Sequence, residues 1–159
     1  MITFEDIPNA MNTTGPVPNL YKSLIWTNVE YVYVPTTKSD SFYRKFFNET
    51  SYVIRTPYGS SMEISTNDGA FFSLIKFRLG SSCSIPHHIK VTGNRSSSTL
   101  DGSISFPGAG AFIDGIDSTN VNVSLINFET YIDAAYAQYA GNCAEAEIIL
   151  DDICVKFYR

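Results

Sequence analysis

The stretch FFSLIKFRL, residues 71–79, decides the fold of this 159-residue chain. Ile75, Phe77 and Leu79 alternate with Lys76 and Arg78. A period of two is typical of a β-strand that has one apolar and one polar face. We therefore predict that residues 71–79 form a strand whose apolar side, which starts with residue 71, faces a core.

Similar runs of alternating, β-branched or aromatic residues recur on both sides of this stretch. Residues 24–34, LIWTNVEYVYV, stop at Pro35 and predict one long strand. Residues 57–60 predict a turn between two paired strands. Further strands are predicted at 51–56, 61–66, 89–91, 103–106, 111–116, 121–128 and 147–157. About nine short strands separated by Gly, Ser and Pro clusters indicate an all-β chain. The expected architecture is a single antiparallel β-sandwich domain of jelly-roll type over residues 1–159.

One stretch has helical spacing instead. Within residues 129–139, Tyr131, Ala134, Ala135 and Tyr139 can share one face, which predicts a short loop helix. Residues 9–19 and 35–48 are predicted to be loops.

Composition narrows the function classes. Charged residues make up only 17% of the chain, the net charge is −5, and basic residues do not cluster. This argues against nucleic-acid binding. No apolar run reaches the ~20 residues that a membrane helix needs.

Secretion is the favoured location, in the extracellular space or a cell wall. Four Asn-x-Ser/Thr sequons are potential glycosylation acceptors, at Asn12, Asn48, Asn94 and Asn122. Residues 1–4 do not read as a signal peptide, so the chain is expected to be a mature form with an initiator Met. A cytosolic protein is the alternative.

Catalytic motifs are missing from the sequence. The only histidines, His87 and His88, are strand neighbours that point to opposite faces, so they cannot grip one metal. Serine-hydrolase, zinc-protease, P-loop and dinucleotide-binding motifs do not occur. Asp114 and Asp117 are the nearest candidates for a glycosidase carboxylate pair, but a strand-turn role is favoured. We predict that the protein is not an enzyme.

The two ends of the chain resemble a known family. ITFEDIP, residues 2–8, and IILDDICV, residues 148–155, resemble the calcium-bearing jelly-roll carbohydrate-binding modules of the galactose-binding-domain-like kind. PNLYKSLIWTNV, residues 18–29, is closer still to a group of secreted, mostly fungal, proteins of unassigned function. Residues 112–118 match a later element of that group loosely. The resemblance departs at residues 131–139 and in the cysteines, so the identity of a ligand does not carry over.

The resemblance implies a structural Ca²⁺ between Glu5 on the first strand and Asp151 on the last. The residues allow this, because a period of two turns Asp151 to the same side as Ile149 and Ile153. An inward carboxylate is costly unless it is paired or bound to a metal. Loop carbonyls would complete the six to eight oxygens that calcium needs. Alternatively, both carboxylates lie at exposed strand ends.

Three cysteines permit one disulfide. Cys143 and Cys154 flank one predicted strand, which would hold them about 36 Å apart at ~3.3 Å per residue. A bridge requires Cα atoms within ~7 Å of each other. In the resembled fold the strand at 71–79 runs antiparallel beside the last strand. That arrangement implies a Cys83–Cys143 disulfide and leaves Cys154 as a buried free thiol.

Tyrosines are the candidate sugar-binding residues, because an aromatic face can lie under the C–H surface of a sugar. Tyr43, Tyr58, Tyr136 and Tyr139 lie outside the predicted strands and suit this role, although they also suit protein contacts. Trp26 lies in an apolar strand and is predicted to be core. We predict a glycan-binding domain for a polysaccharide or a glycoprotein glycan. The alternative is an adhesive or structural protein that self-associates through tyrosine-rich faces.

Overall fold

The computed structural model describes residues 1–38, 41–47, 51–57, 61–83, 85–95, 98–107, 111–116, 122–132, 134–135 and 147–158, with backbone only for 46 and 111–116. Twelve strands, a 3₁₀ turn at Val34–Thr36 and one short α-helix are found in this part of the chain. The strands and the α-helix are β1 Thr14–Pro16, β2 Leu20–Tyr21, β3 Leu24–Thr27, β4 Glu30–Tyr33, α1 Phe42–Phe46, β5 Tyr52–Arg55, β6 Met62–Thr66, β7 Phe71–Ser81, β8 His87–Asn94, β9 Thr99–Phe106, β10 Ala111–Ile116, β11 Leu125–Tyr131 and β12 Ile148–Tyr158.

The strands form two six-stranded antiparallel sheets, which confirms the predicted β-sandwich. The first sheet has the order β1-β4-β5-β12-β7-β10, and the second has the order β2-β3-β6-β11-β8-β9. Apolar side chains from both sheets fill the space between them, among them Trp26, whose indole N–H donates to the carbonyl oxygen of Tyr21 at 2.9 Å. Trp26 is therefore a core residue, as predicted.

In the ladder between β7 and β12 of the first sheet, inward-facing and outward-facing residues do not alternate strictly. In β7, Phe72 and Leu74 face the core and Ile75 is 38% exposed, after which Phe77 and Leu79 face the core again. Opposite them, the register of β12 shifts between Asp151 and Cys154 and again between Cys154 and Val155. Since a β-bulge changes which residues face inward, the faces predicted for residues 71–75 and 149–151 were wrong.

The predicted strand at 24–34 is two strands. Asn28 has φ 58°, a left-handed conformation that asparagine tolerates better than most residues. The chain turns there, so β3 lies in the second sheet and β4 in the first. The strands on either side of residues 57–60 also lie in different sheets, so the predicted pairing of β5 with β6 was wrong.

The helical prediction for residues 129–139 was wrong at its start, because Glu129–Tyr131 continue β11. Residues 136–146 lie outside the described residues. The α-helix occurs instead at Phe42–Phe46, where a loop was predicted, and the N–H of Arg44 donates to the Ser41 hydroxyl at its start. No helix in the described part of the chain is long and apolar enough to cross a membrane.

Helix α1 covers the outer side of the first sheet. Tyr43 and the adjoining Phe47 pack on Val32, Val53 and Ile149 in a second apolar cluster. This cover leaves only part of the first sheet open to a ligand.

A charged network lies at the edge of this second cluster. Arg55 pairs with Glu30 at 2.6 Å and also with Glu147, and the hydroxyl of Tyr43 donates to Glu147. Burial raises the pKa of Glu147, and the Arg55 guanidinium opposes that shift. The arginine thereby ties β4 and β5 to the residue before β12.

Replacement of Arg55 by methionine should destabilise the protein by about 2–4 kcal/mol, because Glu30 and Glu147 would remain half-buried without their cation. The free energy of unfolding in urea measures this loss. Lys22→Met, which breaks the exposed Lys22–Asp6 pair, should cost much less than Arg55→Met, because water and salt screen a pair at the surface. Equal losses in the two variants would contradict a structural role for Arg55.

Candidate functional site

In the described part of the chain, the outer face of the second sheet carries the exposed aromatic ring of Tyr131. Tyr131 is the last residue of β11, and its side chain is 58% exposed. It lines a depression of about 390 Å³ together with His88, Lys90, Asp101, Gly102 and Ser103. We call this surface the Tyr131 face.

Strand alternation and register bring these side chains together. In β8, Ile89 and Val91 are buried and Lys90 between them is exposed. Tyr131 lies opposite His88, and Lys90 lies opposite Ser103. In the pairing of β8 with β11, inward-facing residues lie opposite inward-facing residues and outward-facing residues lie opposite outward-facing ones. The polar and aromatic side chains of both strands therefore lie together on the outer face of the sheet.

Polar contacts hold the rim of the Tyr131 face. Lys90 lies 3.7 Å from Asp101, and the hydroxyl of Thr92 donates to the same Asp101 oxygen at 3.2 Å. The Nδ1 atom of His88 lies 2.9 Å from the hydroxyl oxygen of Ser105. An ammonium, a carboxylate and hydroxyls thus surround one exposed ring on a sheet, with donor and acceptor capacity left for a ligand.

Of the four tyrosines predicted from sequence, Tyr43 is the one that lies within the described residues. Tyr43 is only 9% exposed, and its hydroxyl is bonded to Glu147. A buried ring cannot stack on a sugar, so the prediction that Tyr43 binds a ligand was wrong. Tyr58, Tyr136 and Tyr139 lie outside the described residues.

Tyr131 was missed as a sugar-binding candidate because residues 129–139 were assigned to a helix. The signal that could have found it is the alternation of Ile126 and Phe128, both buried, with Glu129 and Tyr131, both exposed. Extension of the predicted strand 121–128 by three residues would have placed Tyr131 on the polar face.

Asp151 on β12 is a buried carboxylate without hydrogen bonds. Its side chain is 0% exposed, and neither of its oxygens has a hydrogen-bond partner. Burial raises its pKa to about 7; the negative charges of Asp152 and Glu5 act in the same direction, whereas the backbone amide of Asp152 and the guanidinium of Arg78, which lies opposite on β7, oppose the shift. A buried carboxylate in this state is costly unless something neutralises it.

The N-terminal segment brings Glu5 into the neighbourhood of Asp151. Ile2 forms a bridge with Ile153, with the N–H of Ile2 donating to the carbonyl oxygen of Ile153 at 2.6 Å. One carboxylate oxygen of Glu5 accepts the N–H of Ser51 at 2.8 Å. Within the described residues, no group of three or more His, Cys, Asp or Glu could hold a metal ion.

Two of the three cysteines lie within the described residues. Cys83 is in a disulfide and Cys154 is a half-buried free thiol. Cys143 lies outside the described residues, so the predicted Cys83–Cys143 pairing stays a prediction.

Three sequon asparagines are exposed and Asn48 lies outside the described residues; the exposed ones are Asn12, Asn94 and Asn122.

His87 lies behind the Tyr131 face, on the core side of β8. Its ring stacks on Phe106 with 5.1 Å between ring centroids, and its Nδ1 atom lies 2.9 Å from the carbonyl oxygen of Ile85, to which it must donate. Its Nε2 atom is buried without a partner. His88 points outward, so the two histidines occupy opposite faces, as predicted.

Burial lowers the pKa of His87 below its ordinary 6.5. The charged ring is therefore disfavoured in the folded state, and the associated stability is present above pH 6.5 and lost as the pH falls below it. Urea unfolding at pH 7.5 and 5.5 should show that His87→Phe loses less stability on acidification than the wild type. If both proteins lost the same amount, the acid sensitivity would come from elsewhere.

Comparisons with known proteins give structural neighbours only. A family 29 carbohydrate-binding module shares 14% identity, with 91% of this chain and 88% of that chain covered and a TM-score of 0.44. A variant module complexed with cellulohexaose shares 13% identity, covers 90% and 84%, and has a TM-score of 0.44. Another variant, complexed with mannohexaose, shares 16% identity, covers 92% and 86%, and has a TM-score of 0.43. No protein-family model and no curated protein sequence matches the chain.

Proposed function

We propose that this protein is a non-catalytic glycan-binding domain that holds its sugar on the Tyr131 face. The observation that carries the proposal is the exposed ring of Tyr131 beside Lys90, Asp101 and Ser103 on three adjoining strands. Tyrosine offers an apolar surface for the C–H face of a sugar ring. The ammonium, carboxylate and hydroxyl groups supply donors and acceptors for sugar hydroxyls.

The geometry favours a neutral polysaccharide. Lys90 and Asp101 offset each other in charge, so the face has no surplus positive charge for an anionic chain. The depression lies on the face of a sheet, which a long chain can cross without presenting its end. Such binding is reversible, because a shallow site with one aromatic ring buries little ligand surface.

Replacement of Tyr131 by alanine should weaken polysaccharide binding at least about tenfold, or about 1.4 kcal/mol, because the variant loses the stacking surface. Isothermal titration against a panel of neutral soluble polysaccharides measures this. Asp101→Asn should weaken binding through loss of a charged acceptor.

The matched control is Ile75→Ala, which removes an exposed apolar side chain from the first sheet and should leave binding unchanged. Wild-type protein that bound none of the panel, or an unaltered affinity in Tyr131→Ala, would refute the proposal. Sedimentation in the same buffers tests the alternative function, since self-association without sugar binding would favour an adhesive or structural protein.

We propose secretion to the extracellular space or cell wall as the setting of this function. Exposure of Asn12, Asn94 and Asn122 supports it, since a sequon must be accessible to be glycosylated. Secretory expression followed by glycosidase treatment and mass analysis tests it, and unmodified asparagines at all three sites would count against it.

We also propose a structural Ca²⁺ near Glu5 and Asp151. The two unpartnered oxygens of Asp151 support it, because a bound cation would neutralise the buried carboxylate. Carboxylate oxygens are ligands that calcium prefers, and neutral oxygens would complete its shell. When bound, the ion would supply only positive charge and cross-linking, and would hold the N-terminal segment against β12.

Removal of calcium should lower the melting temperature by about 5–10 °C. This follows from a stabilisation of about 2.7 kcal/mol at a hundredfold excess over Kd and about 2–4 °C per kcal/mol. Thermal unfolding with and without chelator, combined with elemental analysis, measures it. Glu5→Gln and Asp151→Asn should be insensitive to chelator.

Asp6→Asn is the matched control, because Asp6 neighbours Glu5 in sequence but pairs with Lys22. This variant should keep the response to chelator. In chelator, Asp151→Asn should be at least as stable as the wild type, because the amide removes a buried charge. A wild-type melting curve that did not respond to chelation, together with no calcium by elemental analysis, would exclude the ion.

A further inference from the structure

A second depression opens at one end of the sandwich. It has a volume of about 470 Å³ and lies where the turn between β2 and β3, the turn between β6 and β7, and the last residues of β12 meet. It shares no lining residue with the Tyr131 face. We call it the end pocket.

The lining of the end pocket is half apolar and half polar. Leu20 and Phe157 belong to the few large apolar side chains that are exposed in the described part of the chain, at 53% and 42%. The same space is lined by Asn67 and Asp68, which are exposed in the turn between β6 and β7, and by Ser23, which is exposed beside β3. Exposed apolar and hydrogen-bonding groups thus converge on one space.

Local hydrogen bonds fix the walls of this pocket. In the turn, the N–H of Ala70 donates to Asp68 at 3.0 Å and the hydroxyl of Thr66 donates to the carbonyl oxygen of Ala70 at 2.7 Å. On the other wall, the hydroxyls of Ser73 and Tyr158 lie 3.0 Å apart, which ties the end of β12 to β7. The pocket is therefore formed before any ligand binds.

The chemistry of the lining selects a class of ligand. No positively charged residue in the described part of the chain lines the pocket, and Asp68 would repel an anion. A purely apolar group would strip water from Asp68 and Asn67 without replacing their hydrogen bonds, which is costly. A neutral sugar ring would meet both requirements, because its C–H face could pack on Phe157 while its hydroxyls formed hydrogen bonds with Asn67 and Asp68.

We infer that the end pocket binds the terminal residue of a neutral glycan chain, as a second site distinct from the Tyr131 face. Two turns and the end of β12 form the sides of the pocket. A pocket with sides accommodates the end of a glycan chain more readily than its interior. Its volume falls within the ~300–1,000 Å³ typical of small-ligand sites. The inference rests on the proposed function only in the class of ligand.

Titration of the ¹⁵N-labelled chain with methyl glycosides of glucose, galactose and mannose tests this inference. At least one of them should shift the amide resonances of Asn67, Asp68 and Phe157. The affinity should change little from the monosaccharide to a hexasaccharide, since only the terminal residue enters the pocket.

Variants separate the two sites. Asp68→Asn should weaken monosaccharide binding about tenfold and leave polysaccharide binding at the Tyr131 face intact, whereas Tyr131→Ala should do the reverse. Phe157→Ala is a second variant whose melting temperature must be checked, because Phe157 packs against Phe72. Asp68 lies on an exposed turn, so the Asp68→Asn variant is expected to fold normally.

Two results would overturn the inference. One is the absence of end-pocket shifts with all three glycosides, and the other is loss of monosaccharide binding in Tyr131→Ala alone. Monosaccharide binding at the end pocket without polysaccharide binding at Tyr131 would refute the proposed function and leave the second site standing.

Discussion

The rest of the structure depends on the antiparallel ladder between β7 and β12. These are adjoining eleven-residue strands of the first sheet, and their core-facing side chains form much of its inner surface. The register of β12 against β7 shifts between Asp151 and Val155, which interrupts the alternation of inward-facing and outward-facing residues in β12. As a result, Leu150 and Ile153 both face the core. The N-terminal segment bridges β12 at Ile153. One ladder thus positions the core, the chain start and the buried Asp151.

The two proposed sugar sites follow from different parts of the sandwich. The Tyr131 face depends on regular alternation in β8, β9 and β11, where an unbroken register carries one face of polar side chains to solvent. The end pocket depends on the opposite situation, because there the sheets stop and a core-facing aromatic, Phe157, is left partly uncovered. A flat surface suits the interior of a chain, and a walled pocket suits its end.

Several features could be predicted from the sequence because they are local. The strands around residues 71–79, 87–94 and 148–158 have enough apolar alternation to be recognised without knowledge of their partners. Burial of Trp26 and the opposite orientation of His87 and His88 follow from the same periodicity. The prediction failed where neighbours decide the outcome, as at Tyr131, whose spacing from Ala134 and Ala135 imitates a helix face.

By itself, the sequence determined that this protein is an antiparallel β-sandwich with sparse charge, because strand periodicity and composition are properties of the chain alone. Only the tertiary structure decided that Asn28 divides the single predicted strand 24–34 between two sheets and that Asp151 is buried. The tertiary structure also decided that the side chain of Tyr43 is buried and that of Tyr131 is exposed. These outcomes depend on which strands pair and in what register, and such contacts join residues far apart in the sequence.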